Sequence, residues 1–391
     1  MTAPDAPGPA AGDPASSRRT GVRVAVDAMG GDHGPSEVVP GALAYARANA
    51  ADRILLVGDQ RVLGAHLGVD RPANVEVVHA TEVVEMHEQP ALALREKRDA
   101  SILVATNLVR RGEADAVVTA GHTGAGMAAA VLRLGRLSGV DRPALAVQIV
   151  AGDRPFVLLD IGANPDSTPE HLAQYARMGA IFSERVLGVP RPRVALLSIG
   201  EEKGKGDARI ARATELIDRT DLKFVGNVEG KDLTRQVADV VVTDAVTGNV
   251  VIKFFEGLSG FIFELFRAEF RRSARGRLAY LLLRPGIARI REQFDYEQVG
   301  GSTLLGVRGA VIITHGRARA RMIEHAVRVA AVTARERVPE RIAEALAGEA
   351  AAARGATPAG EGVDVDGVAA TGEAGVAEWA SDSAPGMEAV S

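Results

Sequence analysis

Six short clusters in this chain of 391 residues combine glycine with side chains that donate or accept hydrogen bonds: Asp27-Ala-Met-Gly-Gly-Asp-His33, Gly121-His-Thr-Gly124, Asp160-Ile-Gly-Ala-Asn-Pro165, Ser198-Ile-Gly-Glu-Glu-Lys203, Gly226-Asn-Val-Glu-Gly230 and Asp244-Ala-Val-Thr-Gly-Asn249. Glycine lets backbone N–H groups approach a ligand closely, and a helix opening behind such a turn favours an anion at its N-terminus. The chemistry this suits is the holding of a phosphate or the stabilisation of a developing oxyanion. One such cluster alone reads as well as a turn and a helix cap, but six in one chain favour a ligand. The cations point the same way. Only six are lysine against forty arginines, and five of the six (Lys203, Lys205, Lys223, Lys231, Lys253) fall among the clusters. With no cysteine in the chain, disulfides, iron–sulfur clusters, thiolate zinc sites and acyl-cysteine intermediates are excluded, and nucleophilic chemistry falls to oxygen or nitrogen.

The clusters sit at the ends of short apolar, β-branched runs: residues 22–28, 53–57, 75–79, 116–119, 145–150, 156–160, 194–198, 224–228, 240–243 and 310–314. Continuous rather than alternating hydrophobicity means burial on both faces, as in a parallel sheet covered by helices. The expected fold is therefore α/β: a Rossmann-like, three-layer α/β/α sandwich with a largely parallel sheet and a protruding helical segment. In open α/β sheets ligands bind beyond the carboxyl ends of the strands, which predicts that the clusters converge on one crevice. Two familiar patterns do not fit. Gly124-Ala-Gly126 lacks the acidic residue expected about twenty residues on in a dinucleotide site, and residues 200–205 lack the spacing and final Ser/Thr of a P-loop.

At this point the residues carry a resemblance. Val24-Ala-Val-Asp-Ala-Met-Gly-Gly-Asp-His-Gly-Pro35 resembles the N-terminal signature of the bacterial phosphate acyltransferases, the acyl-carrier-protein:phosphate acyltransferases of phospholipid synthesis. Leu159-Asp-Ile-Gly-Ala-Asn-Pro-Asp166 with Pro169-Glu-His171, then Ser198-Ile-Gly-Glu-Glu202, Gly226-Asn-Val-Glu-Gly230, Asp239-Val-Val-Val-Thr-Asp244 and Thr247-Gly-Asn-Val-Val251, follow in that family's order, so the likeness spans residues 22–335. It departs at His122 and Ser198, where Asn is usual, and at Ala245, where Gly is usual. The resemblance implies reversible transfer of a long-chain acyl group from acyl carrier protein to inorganic phosphate, without cofactor or metal. Phosphate is already anionic and a thiolate leaves readily, so positioning and oxyanion stabilisation are the larger requirements. Candidate phosphate ligands are Gly200, Lys203, Lys205, Thr247, Gly248 and Asn249. Lys253, the possible oxyanion donors Asn164 and Asn227, and His33 as a proton donor to sulfur are the catalytic candidates; for each of the last three a purely structural turn role competes. Asp27, Gly30, Gly31, Asp32, Thr123, Asp160 and Asp244 are expected to orient those donors. Two rivals stay open: a phosphotransacetylase-like enzyme acting on acyl-CoA, and a non-enzymatic membrane-associated scaffold.

From residue 253 to 297 a second character takes over. Apolar residues Phe254, Phe255, Leu258, Phe261, Ile262, Leu265 and Phe266 recur at helical spacing, and between Arg267 and Arg291 eight arginines, Arg271, Arg272 and Arg277 among them, face a single acid, Glu269. Within this lies Leu278-Ala-Tyr-Leu-Leu-Leu283, with Leu281, Leu282 and Leu283. An apolar patch ringed by arginine suits an anionic membrane surface, and the charge suits an acidic partner such as acyl carrier protein. The family resemblance implies both, together with a homodimer built from this segment. No base-reading motif surrounds it, so nucleic acid is not expected. The N-terminal residues lack the hydrophobic stretch of a signal peptide, which predicts a cytoplasmic protein partly associated with the inner face of the cell membrane.

Overall the chain carries 46 Lys and Arg against 50 Asp and Glu, a formal net charge of −4, with 47% hydrophobic residues. Residues 348–391 hold eight carboxylates and one arginine in an Ala/Gly-rich background. Residues 1–20 and 348–391 lack apolar periodicity and read as disordered tails around a domain of residues 21–347. Trp379, the only tryptophan, reports on this. Its native emission should already be red and should barely shift when denaturant unfolds the body. A blue native spectrum would mean that the tail docks.

Overall fold

The structure is a computed structural model and describes residues 21–68, 70–151, 154–202, 204–293 and 300–355. In chain order it begins β1 (Arg23–Asp27), α1 (Pro35–Ala48), β2 (Arg53–Gly58), α2 (Gln60–Leu67), β3 (Val75–His79), α3 (Pro90–Glu96), α4 (Ser101–Arg110), β4 (Ala116–Thr119) and α5 (Thr123–Arg133). A hairpin of β5 (Ala144–Ala151) and β6 (Arg154–Leu159) leads to α6 (Pro169–Val186), β7 (Arg193–Leu197), α7 (Ala208–Asp218), β8 (Lys223–Val228) and β9 (Val240–Val242). Two long helices follow, α8 (Ala245–Arg271) and α9 (Ala274–Gln293). The chain then returns through β10 (Ser302–Leu305), β11 (Ala310–Ile313), α10 (Ala320–Arg335) and α11 (Val338–Gly355). Helix α11 runs through the expected domain edge at residue 347, and residues 356–391, with Trp379, lie outside the described residues.

All the strands share one sheet, ordered β3-β2-β1-β4-β11-β10-β5-β6-β9-β7-β8. The ten apolar runs of the sequence are all strands. Strand β10 has no such signal, since it is four residues long and begins Ser-Thr behind two glycines in the left-handed region, Gly300 and Gly301. The sheet is largely parallel, but β10 is antiparallel to both β11 and β5, and β5 to β6. Three reversals in succession make the wing β3-β2-β1-β4-β11 run opposite to the wing β6-β9-β7-β8. The carboxyl ends of the two wings thus lie toward opposite edges, and the simple rule that gathers every strand end at one edge does not hold here.

Burial on both faces explains the run composition: Val24, Ala25, Val26, Val157, Leu158 and Leu159 are all inaccessible. One face is covered by α1, α2, α6, α7, α10 and α11, with Val329 of α10 packing on the cores of both wings. The other is covered by α3, α4 and α5 over the first wing, and over the second by Leu233 and by the base of α8 through Val251, Ile252 and Phe255. Beyond that base α8 leaves the body.

A half-buried ion pair locks the first wing. Asp52 accepts from Val22 N–H at 3.0 Å, from Tyr45 Oη at 2.6 Å and from Arg335 Nη2 at 2.8 and 2.9 Å, tying β1, α1 and α10 together. Burial alone would raise the Asp52 carboxyl, but the Tyr45 hydroxyl, the Val22 amide and the Arg335 guanidinium outweigh it and hold the group below its ordinary value of 3.8. A lowered carboxylate stabilises fully above that value and loses the contribution as pH falls through it. Asp52→Ala leaves the buried Tyr45 hydroxyl without its acceptor and the half-exposed Arg335 without its partner, so it should cost about 1–3 kcal/mol. The check is the urea midpoint at neutral pH, with the gap between wild type and variant closing below about pH 3.

Candidate active site

The site is built from two groups of strand ends and the helix that joins them. In the first wing, Asp27 ends β1 and is buried. It accepts from Thr119 Oγ1 at 2.7 Å at the end of β4 and from Met29 N–H at 3.3 Å, with Ser101 and Gly30 also donating. Burial pushes its carboxyl up, and these donors oppose the shift. Thr119 Oγ1 in turn accepts from Gly121 N–H at 3.1 Å, and His122 Nδ1 caps α5 by accepting from Gly124 N–H at 3.0 Å, so Thr123 opens the helix. Asp27, Ser101, Thr119, Gly121 and His122 line a small cavity here. Gly31 has φ +89°, and a Cβ on it would lie 2.9 Å from the carbonyls of both Ala120 and Gly316; this position needs glycine for conformation and for space. Asp32 N–H donates to Gly316 O at 2.8 Å. His33 stays in the β1–α1 turn, its carbonyl accepting from Ser36 Oγ at 2.7 Å.

In the second wing, Asp160 follows β6 and is inaccessible. Its carboxylate accepts from the N–H groups of Leu145, Gly162, Ala163 and Asn164 at 2.8–3.2 Å. Burial pushes this carboxyl up as well, against the pull of those four amides. Asn164 donates through Nδ2 to Tyr175 Oη at 3.2 Å and lies 3.3 Å from His171 Nδ1, so the amide hydrogens that sequence reasoning offers to an oxyanion are engaged inside the loop. Asn227 Nδ2 likewise donates to Lys205 O at 3.2 Å, and its buried Oδ1 has no partner among the described residues. Asn227 therefore supports the loop that carries Gly200 and Lys205, whose side chain is exposed. Lys203 lies outside the described residues.

Asp244 is the N-cap of α8: it accepts from Thr247 N–H at 3.0 Å and Thr247 Oγ1 at 2.8 Å, and Arg209 Nη2 lies 3.1 Å away. Burial would raise Asp244, but Thr247 and the Arg209 guanidinium more than reverse that and keep it ionised. Asn249, one turn in, is exposed. Arg209, on the first turn of α7 behind Gly206-Asp207, is a charge that sequence reasoning missed; its buried Nε has no partner among the described residues. The signal that would have found it is a cation at the start of a helix following a glycine-rich loop.

Helix α8 brings the two groups together. A Cβ on Gly248 would lie 1.9 Å from Asp160 O, so the helix starts directly against the end of β6. At the start of its third turn, Lys253, paired with Glu256 at 3.0 Å, acts on the imidazole of His315 in the loop after β11, as do Glu256 and Asp32. Lys253, grouped by sequence with Thr247 and Asn249, thus belongs spatially to the Gly31–Asp32–His315 group. His315 is the second missed residue. It follows a strand and precedes glycine, the same signal that picked out the six clusters. Past Lys253 the helix is largely exposed: Phe254 is 68% and Phe261 56% accessible. Arg271, Arg272, Arg277, Leu281, Leu282 and Leu283 are all exposed on α8 and α9, which meet through the rings of Phe270 and Tyr280 at 5.6 Å. By length and composition α8 is able to cross a membrane, but its base is built into the site.

Comparison with known proteins agrees with this architecture. Residues 22–341 match a family described as "Fatty acid synthesis protein". The chain is 46% identical over 310 residues to the phosphate acyltransferase of Desulfitobacterium hafniense (strain Y51), covering 79% of this chain and 92% of that protein. It is 47% identical over 310 residues to the phosphate acyltransferase of Moorella thermoacetica, covering 79% and 91%. Among solved structures, a phosphotransacetylase from Streptococcus pyogenes superposes with a TM-score of 0.55 at 16% identity over 80% of this chain and 94% of that one. The EutD phosphotransacetylase from Staphylococcus aureus gives 0.54 at 15%, over 81% and 95%. At such identities the structural likeness is one of fold.

The contact at Gly248 generates a direct test. Gly248→Ala forces α8 off the Asp160 carbonyl, an overpacking that costs about 1–3 kcal/mol. The variant should lower the urea midpoint and also reduce acyl transfer, because both ends of the site hang on this helix. Full activity with an unchanged midpoint would show that the two groups do not depend on α8.

Proposed function

The chain belongs to the fatty acid synthesis family of phosphate acyltransferases, and we propose that its acyl donor is a long-chain acyl group on acyl carrier protein, used at an anionic membrane surface by a homodimer. Acyl transfer between a thioester and phosphate needs two parts here. A phosphate oxygen adds to the thioester carbonyl, forming the C–O bond; collapse of the tetrahedral oxyanion breaks the C–S bond, and the proton carried by the phosphate goes to the departing sulfur. Nothing in this requires a strong base, so the site's contribution is placement and charge stabilisation. The Arg209–Asp244 corner, the start of α8 and the Lys253 ammonium are proposed to hold the phosphate.

The observation that carries the choice of donor is the α8–α9 arm. It continues from the site itself into an exposed face of Phe254, Leu258, Phe261, Leu265 and Leu281 to Leu283 bordered by arginine. A contiguous apolar surface of this kind is costly in water and needs a cover. We assign its arginine edge to an acidic carrier protein and to anionic lipid headgroups, and part of its apolar face to a second copy of the chain. The cytoplasm and the inner face of the cell membrane are the corresponding location. A phosphotransacetylase using short acyl-CoA would need no such arm, and for that reason is the second reading.

Acyl phosphate formation from long-chain acyl carrier protein should exceed that from the same acyl-CoA, and sedimentation equilibrium should give twice the chain mass. Lys253→Ala should raise the phosphate requirement or lower turnover by at least about tenfold, the scale of one charged contact. Binding to anionic vesicles should weaken with salt and with Leu282→Glu. Preference for acyl-CoA, or no binding to either neutral or anionic vesicles, would overturn the donor or the membrane assignment respectively.

A further inference from the structure

His315 lies in a loop held from several sides. Thr314 N–H donates to Thr119 O at 2.9 Å, Ala318 N–H to His315 O at 2.8 Å, and Gly316 O receives Asp32 N–H at 2.8 Å. Glu37, at the start of α1, accepts from Ala320 N–H at 2.8 Å and Arg319 Nη1 at 3.0 Å. The imidazole is fixed as well: Arg317 N–H donates to His315 Nδ1 at 3.2 Å. A neutral imidazole that accepts at Nδ1 carries its proton on Nε2, and protonation of Nδ1 would break this bond. Charged groups act on the ring from three elements, Lys253 and Glu256 of α8, Asp32 of the β1–α1 loop and Arg317 of its own loop. Burial, and then the Lys253 ammonium, push the imidazole below its ordinary range. A rigid, neutral imidazole is a poor acid and a good hydrogen-bond donor, a combination suited to a carbonyl oxygen that gains charge.

We propose that His315 is a catalytic hydrogen-bond donor whose Nε2–H binds the thioester carbonyl oxygen and stabilises the oxyanion formed when phosphate adds. This rests on the acyl-transfer reading above and names the electrophilic group it lacked, since Asn164 and Asn227 are engaged elsewhere. When the phosphate oxygen bonds to carbon, the carbonyl π electrons move to oxygen, where Nε2–H meets them. Collapse returns them and expels sulfur with the proton from phosphate. His315 keeps its own proton throughout, and the step calls for no second proton donor. Lys253, close to the same ring, adds positive charge on the side where the phosphate enters.

The experiment compares full-length wild type, His315→Leu and His315→Gln for acyl phosphate formation, with unfolding followed in parallel. His315→Leu should lose about 10²- to 10³-fold in kcat, the scale of one oxyanion donor, while KM for phosphate changes less than about threefold. His315→Gln, which keeps an N–H donor, should recover at least about tenfold of that loss. Wild-type kcat should carry an acid limb, from protonation of the lowered imidazole, that the Gln profile lacks. Imidazole 15N shifts of the wild-type protein supply a measure free of variants: at neutral pH they should show a neutral ring protonated at Nε2. A folded Leu variant within about threefold of wild type, a Gln variant as impaired as Leu, or a ring protonated at Nδ1 overturns the proposal. If the wild type makes acyl phosphate only from acyl-CoA, the donor assignment falls while the comparison of variants still decides His315. If it makes none from any thioester, both fall.

Discussion

The first two turns of α8 lie so close to the end of β6 that no side chain fits between them. Gly248 faces the Asp160 carbonyl at a distance where a Cβ would sit 1.9 Å away, and Asp244 caps the same helix while pairing with Arg209. This contact fixes the direction of a 27-residue helix. Because the two wings of the sheet run in opposite senses, their strand ends have no reason of topology to meet. The helix supplies the connection: its start belongs to the Asp160 group, its third turn to the Gly31–His315 group, and its remainder projects from the body.

Three buried aspartates, Asp27, Asp160 and Asp244, organise the loops from below. Each stands at or just beyond the end of a strand and gathers backbone N–H groups or hydroxyls around its carboxylate. A buried carboxylate is costly unless it is fully hydrogen-bonded, so each one forces its loop into a single arrangement. That rigidity is what an enzyme of this kind requires. Where an acyl group is transferred to phosphate, most of the barrier is removed by holding reactants in place and meeting the charge with dipoles that need not reorient.

The arm presents the opposite physics. Its apolar residues stand exposed beside arginines, whose charged heads stay in water. Site and arm are parts of one continuous helix.

Much of this was legible in the residues. Apolar runs such as 22–28 and 240–243 had to be buried on both faces, the glycine-rich ends had to be turns, and the Phe- and Arg-rich stretch after Lys253 had to stand apart from the core, because hydrophobic periodicity and turn chemistry are local properties of the chain. Ordered motifs over residues 22–335 also identified the family. Tertiary structure alone decided the rest. β10 has too little apolar signal to be seen, yet it reverses the sheet and separates the strand ends into two groups. Asn164 and Asn227 look like free donors until their partners, eleven and twenty-two residues away, are in place. Lys253 stands one turn beyond Asn249 on the same helix, and the direction of α8 is what brings its charge to bear on His315. Which groups face one another depends on long-range register and helix direction, and no local pattern encodes either.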